Sequence, residues 1–208
     1  MQRELEHLSN MPSILQRADY EDCLIAFYFG RGKDKLALCR RRAYGDFKRT
    51  LHGIGTDVYP RAEKVLGQRL ASIKNMEAPS QDQFDAWHRD TCVALAQCGY
   101  PFSVGQAQKW INMTFKYVYV MGEQRLPGFR HLYDLCHVPL DTILMDALRQ
   151  YDFAPLPCAW SKLSDYDVYL ERQRWVRRRF PLSPLDVEFC LWLGRPLPAA
   201  EQISNQRG

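Results

Sequence analysis

The chain has 208 residues, of which 46% are hydrophobic and 25% charged, and its net charge is +4. These values exclude an intrinsically disordered chain and a collagen-like repeat, and the length suffices for one large domain or two small ones. The amino-terminal run MQRELEHLSNMPSILQ has no apolar core and cleavage site, so we expect no signal peptide. No apolar stretch approaches the roughly 20 residues of a membrane-spanning helix, so we expect no membrane partner.

The seven cysteines indicate the redox compartment. They stand at positions 23, 39, 92, 98, 136, 158 and 190, without any CxxC pair. An odd, scattered set is typical of reduced core residues, and we therefore predict a cytoplasmic protein. Neither Cys92 with Cys98 nor Cys136 with His137 has the usual spacing of zinc ligands, so no metal and no cofactor is predicted.

Helical periodicity dominates the first half of the chain. Acidic residues open an apolar run over 19–29, which predicts a buried helix. Apolar residues recur every three or four positions over 35–51 despite Gly45, and again over 60–73 after Pro60. Two capping-box patterns then predict helices over 80–98 and 103–121; they pair Ser80 with Gln83 and Ser103 with Gln106.

The second half continues with shorter helices. Pro139 and Asp141 introduce a helix over 142–150, and a loop with two prolines follows over 151–161. Helical spacing returns over 166–180, and Ser183 predicts a last short helix that ends at residue 194.

The fold class follows from these patterns. We predict an all-α, irregular globular bundle of about seven to nine helices with little or no sheet. We place a main helical domain at 1–150, a loop or seam at 151–161, and a helical extension at 162–208 packed on the same core. A single domain over 1–194 with a flexible tail at 195–208 is the alternative.

Positive charge is concentrated in two segments. Residues 31–49 hold eight Lys or Arg and two Asp, and residues 171–179 hold five Arg and one Glu. Such faces can neutralise phosphates, so they predict contact with nucleic acid or an acidic protein, whereas solvated helix faces are the alternative. The residues predicted to make that contact are Lys35, Arg41, Arg42, Lys48, Arg49, Arg174, Arg177 and Arg178.

A polar stripe interrupts the mostly apolar helix after Ser103. Gln108, Lys109, Asn112 and Lys116 share one helical face. Two ammonium groups and two amides could bind an anionic ligand in a cleft. The alternative is a helix that shows one polar edge to solvent.

His137 and Asp141 are the weak catalytic candidates. A carboxylate can orient an imidazole for acid or base chemistry, although capping of the following helix explains Asp141 equally well. GxSxG, HExxH, Walker and GxGxxG motifs do not occur. The leading hypothesis is therefore a non-enzymatic binding module with a basic surface. The alternative hypothesis is a small-molecule enzyme or ligand-binding protein that acts on an anionic substrate.

The chain has 26 aromatic residues. Several of them cluster around the predicted loop, from Tyr151 to Tyr169. We predict that part of this cluster is exposed at a groove or at the interface of a homodimer.

Overall fold

The computed structural model describes residues 16–198, and these residues form α-helices, 3₁₀ turns and irregular segments without any β-strand. The all-α prediction is confirmed. The chain divides into two compact units, residues 1–33 and residues 34–208.

Helix α1 (Arg17–Phe29) is the described element of the first unit. The predicted helix forms, but its predicted burial is wrong: Tyr20, Leu24, Phe27 and Tyr28 are 52%, 68%, 82% and 48% exposed. Apolar composition favours burial only where enough surrounding chain exists to cover the helix. A unit of 33 residues is below the size at which a chain can enclose a core of its own.

The second unit contains seven α-helices in its described part. They are α2 (Lys35–Phe47), α3 (Val58–Lys74), α4 (Gln81–Ala96), α5 (Val104–Met121), α6 (Thr142–Leu148), α7 (Tyr166–Arg179) and α8 (Pro184–Trp192). Short 3₁₀ turns follow α2 (Lys48–Thr50) and α6 (Arg149–Tyr151), and two others lie at Arg130–Leu135 and Trp160–Lys162. Both predicted capping boxes form, at Ser80 and Ser103. No described helix combines the length and the apolar character needed to cross a membrane.

Helix α5 is the central element of this unit. Every residue from 105 to 118 is buried, and α2, α4 and α7 pack around the helix. Gly105 allows the 3₁₀ turn Trp160–Lys162 to approach closely, because a Cβ atom at this position would lie 1.6 Å from the carbonyl oxygen of Trp160. The Gly105 amide donates to the Leu163 carbonyl at 2.9 Å. The polar stripe of α5 is therefore enclosed by other elements.

The aromatic cluster around the 151–161 segment belongs to the core. Phe153, Tyr166 and Tyr169 are buried, and Tyr151 and Trp160 are half-buried. Tyr151 packs on Phe180, Phe153 on Trp175, and Tyr166 on Tyr169, so within this cluster only Tyr151 and Trp160 leave part of their surface to solvent and the predicted exposed aromatic surface is small. The homodimer, which was inferred from that surface, stays a prediction without this support.

Candidate functional site

The polar stripe of α5 divides between two places. Gln108 and Asn112 enter a hydrogen-bond network in the core, whereas Lys109 and Lys116 form ion pairs with carboxylates beside a surface cleft. All four side chains are buried. The stripe was predicted as one site, and the structure makes it part of two.

Asn112 is the centre of the core network. Its Nδ2 lies 2.9 Å from Gln108 Oε1, 3.1 Å from the Val138 carbonyl and 2.8 Å from the Tyr169 hydroxyl. The first two of these groups can only accept, so the orientation of the amide is fixed. Asn112 Oδ1 then faces His88 Nε2 at 3.0 Å, and that nitrogen must carry the proton.

The rest of the network follows from this assignment. His88 Nδ1 is left as an acceptor for the Tyr166 hydroxyl at 2.8 Å. Tyr169 accepts from the Asn112 amide and donates to His137 Nδ1 at 2.8 Å, so His137 Nε2 donates to Asp85 Oδ1 at 2.8 Å. An ordered series of donors and acceptors thus runs from Tyr166 to the Asp85 carboxylate.

The predicted pairing of His137 with Asp141 is wrong. Asp141 accepts instead from the Leu144 amide, as the cap of α6, and from Lys109. The carboxylate that orients His137 is Asp85, which the sequence analysis missed together with His88. One feature of the sequence could have indicated a buried histidine: His88 stands four residues after Phe84 and so lies within the apolar stripe of α4.

Burial dominates the protonation of the two rings. It lowers the pKa of His137, and it lowers the pKa of His88 well below the ordinary value, with the charge of His137 acting in the same direction. Burial alone would raise the pKa of Asp85, but its hydrogen bonds to His137 and Gln81 outweigh that effect and lower it. Both histidines are almost completely inaccessible. The network therefore presents no ring nitrogen to a substrate and holds helices together.

A cleft of about 290 Å³ opens between α6 and α8. Two carboxylates line it, those of Asp141 and Glu188, together with apolar side chains. The apolar lining consists of Ile143, Leu144, Ala147, Leu191 and Trp192. Lys109 donates to Asp141, and Lys116 donates to Glu188 at 2.5 Å.

The four charges beside the cleft neutralise one another in pairs. Burial raises the pKa of Glu188, and the neighbouring Lys116 ammonium opposes that rise. Lys116 also lies over the Trp192 ring, 4.5 Å from its centroid. Each ammonium therefore already has a carboxylate partner, and the cleft does not offer the pair of unmatched lysines that an anionic ligand was predicted to meet.

Comparison with known proteins places this chain in no family. No protein-family model, no curated protein and no solved structure matches it. Its function is therefore inferred from its own side chains. Within residues 16–198, no group of three or more His, Cys, Asp or Glu side chains is arranged to hold a metal ion.

Most of the carboxy-terminal arginine segment is engaged in contacts within the fold. Arg177 donates to the carbonyls of residues 134, 135 and 136, and Arg178 pairs with Glu171. Arg172 and Arg179 donate to the carbonyls of residues 155 and 151. Arg174 remains as an exposed cation on α7. This segment thus contributes much less to a basic surface than its sequence suggested.

Most of the basic residues predicted for contact in α2 and in the 3₁₀ turn that follows it are more exposed than most arginines of α7. Arg41, Lys48 and Arg49 are exposed, and Lys35 and Arg42 are half-exposed. Arg42 also pairs with Asp46 at 3.6 Å. Arg40, which the sequence analysis did not single out, is buried and pairs with Glu63 at 2.6 Å. We call Lys35, Arg41, Lys48 and Arg49 the α2 basic surface.

Proposed function

We propose that this protein is a non-enzymatic binding protein that contacts the phosphate backbone of nucleic acid through the α2 basic surface. The observation that carries the proposal is the outward position of four cations within residues 35–49, on one helix and the 3₁₀ turn that continues it. For a helix that rises 1.5 Å per residue, this segment spans about 20 Å, which is enough for several successive phosphates.

The composition of the surface favours nucleic acid over an acidic protein. The large exposed hydrophobic side chains among the described residues include none between positions 30 and 75. Stable protein interfaces depend on aromatic and aliphatic anchors at their centre, whereas phosphate contacts need only cations and hydrogen-bond donors. Two of the four residues are arginines, whose guanidinium groups can bind phosphate oxygens in a bidentate manner.

Salt dependence tests the proposal directly. Fluorescence anisotropy would measure binding to a labelled duplex DNA of arbitrary sequence between 20 and 200 mM salt. Each phosphate contact contributes a slope of about 0.9 in log affinity against log salt, so four contacts predict a slope near −3.6. Undetectable binding at the lowest salt, or binding independent of salt, would overturn the proposal.

Charge reversal locates the interface. The double variant Lys48→Glu/Arg49→Glu should weaken binding by at least about tenfold and make the salt slope shallower by about 1.8, since two contacts are lost. Arg174→Glu is the matched control, because it reverses an exposed cation on α7, outside the α2 basic surface. Equal loss in both variants would reject the α2 basic surface. Binding to polyglutamate with none to DNA would assign the surface to an acidic protein instead.

A further inference from the structure

We propose that the cleft between α6 and α8 binds a small organic ligand that carries an ammonium group on an apolar body. This ligand class is the opposite in charge of the anionic substrate predicted from the sequence. The cleft is separate from the α2 basic surface, so this site and the nucleic-acid proposal can succeed or fail independently.

The walls of the cleft are suited to an apolar body. Ile143 is 61% exposed and Trp192 is 64% exposed, although both are large hydrophobic side chains. Leu144, Ala147 and Leu191 continue the same lining. A concave apolar surface that remains exposed is a common mark of a ligand site, and the volume of about 290 Å³ is close to the lower end of the usual range of roughly 300–1,000 Å³.

The positions of the charged side chains determine which ligand charge the cleft favours. Asp141 and Glu188 line the cleft, and Lys109 and Lys116 are not part of its lining, although Glu188 and Lys116 are equally buried. Each ion pair therefore presents its carboxylate, and not its ammonium, to the cleft. A ligand carboxylate would meet two carboxylates, while a ligand ammonium would meet two acceptors.

Glu188 has unused capacity to accept a hydrogen bond. Its Oε1 is engaged by Lys116, and its second oxygen has no hydrogen-bond partner among residues 16–198. Asp141, by contrast, uses both oxygens, one for the Leu144 amide and one for Lys109. A carboxylate oxygen that is free at the edge of a largely apolar cleft is a strong acceptor for a charged donor, because charge-assisted hydrogen bonds are stronger than neutral ones. The ligand ammonium is therefore placed at Glu188.

NMR titration of the Trp192 indole N–H tests the site. The resonance is assigned by its disappearance in Trp192→Phe. Three probes of similar size are compared at pH 7: 2-phenylethylamine, 2-phenylethanol and 3-phenylpropanoate. We expect the amine to shift the resonance with a Kd at least about tenfold below that of the alcohol, and the carboxylate to bind more weakly than either. Tighter binding of the carboxylate, or no shift with any probe, would overturn the proposal.

Two variants separate the steric from the electrostatic requirement. Ala147→Phe should fill the cleft and abolish the shift, whereas Ala86→Phe makes the same change at an exposed position of α4 and should leave it unchanged. The double variant Lys116→Met/Glu188→Gln removes both charges without leaving either one unpaired. It should lose most of the preference for the amine over the alcohol, because the remaining carboxylate, Asp141, already uses both oxygens. The proposal is contradicted if the amine still shifts the resonance fully in Ala147→Phe. It is also contradicted if the double variant keeps the full preference for the amine. Should Ala147→Phe not fold, the double variant alone decides.

Discussion

His137 donates from Nε2 to Asp85 Oδ1 at 2.8 Å, so the carboxylate of α4 fixes a ring that lies 52 residues later in the chain. The opposite nitrogen of the ring accepts from Tyr169 of α7. One imidazole thus connects two helices through the segment that precedes α6. Burial favours the neutral ring, and protonation would turn Nδ1 into a donor and break the hydrogen bond from Tyr169.

Acid should destabilise this protein below about pH 6.5. Burial lowers the pKa of both His88 and His137 in the folded state from the ordinary value of 6.5. Above pH 6.5 both rings are neutral in the folded and in the unfolded protein. As the pH falls below 6.5, the unfolded chain takes up protons before the folded protein does, and this proton uptake favours unfolding. At pH 5 the loss is at most about 2 kcal/mol per ring. Urea unfolding at pH 8 and pH 5 measures it.

The lowered pKa of Asp85 adds a second loss at lower pH. Its unfolded carboxyl takes up a proton near 3.8 while the folded one still resists, so stability declines further below that pH. His131→Gln is a suitable control, since it removes an exposed histidine that lies outside the core network. A free energy of unfolding that is equal at pH 8 and pH 5 would show that the two buried rings are not neutral in the native protein.

Removing one hydroxyl should disrupt the core network. Tyr169→Phe keeps the ring but deprives His137 Nδ1 of its donor, while the Asn112 amide keeps Gln108 Oε1 and the Val138 carbonyl as acceptors. Leaving buried polar groups unsatisfied costs about 1–3 kcal/mol each, so we expect a loss near the middle of that range. Denaturant unfolding at pH 8 measures it. Tyr151→Phe, at a half-buried ring, should cost less, and the opposite order would contradict the importance of the network.

The sequence predicted local structure better than it predicted contacts between residues that are distant in the chain. The capping boxes at Ser80 and Ser103 depend on residues three positions apart, so they were visible in the sequence and are confirmed. The partner of His137 lies on another helix, and sequence proximity favoured the wrong carboxylate. The concentration of positive charge led to a similar error: Arg177 was predicted to contact a partner at the surface, but its guanidinium donates to three carbonyl groups of the fold. Long-range contacts of this kind leave no periodic signal in the sequence.

Removing one member of the buried pair Lys116 and Glu188 should destabilise the protein strongly, whereas replacing both members with apolar residues should destabilise it little. Both side chains are only 8% exposed. Glu188→Ala leaves an unpaired buried ammonium, and such a change typically costs about 3–5 kcal/mol. The double variant Lys116→Met/Glu188→Leu removes both charges and should recover most of that loss. Urea unfolding of the two variants provides the comparison, and a double variant as unstable as Glu188→Ala would contradict it.

Two glycine-to-alanine substitutions should have opposite effects. In α5, a Cβ at Gly105 would lie 1.6 Å from the Trp160 carbonyl oxygen, so Gly105→Ala must displace backbone and should cost about 2–4 kcal/mol. In α2, a Cβ at Gly45 would meet nothing within 4 Å, so Gly45→Ala should gain about 0.5–1 kcal/mol from helix propensity. Thermal unfolding distinguishes them, since 1 kcal/mol shifts Tm by about 2–4 °C at this size. If Gly105→Ala unfolded at the wild-type temperature, the close packing of α5 on the Trp160–Lys162 turn would be disproved.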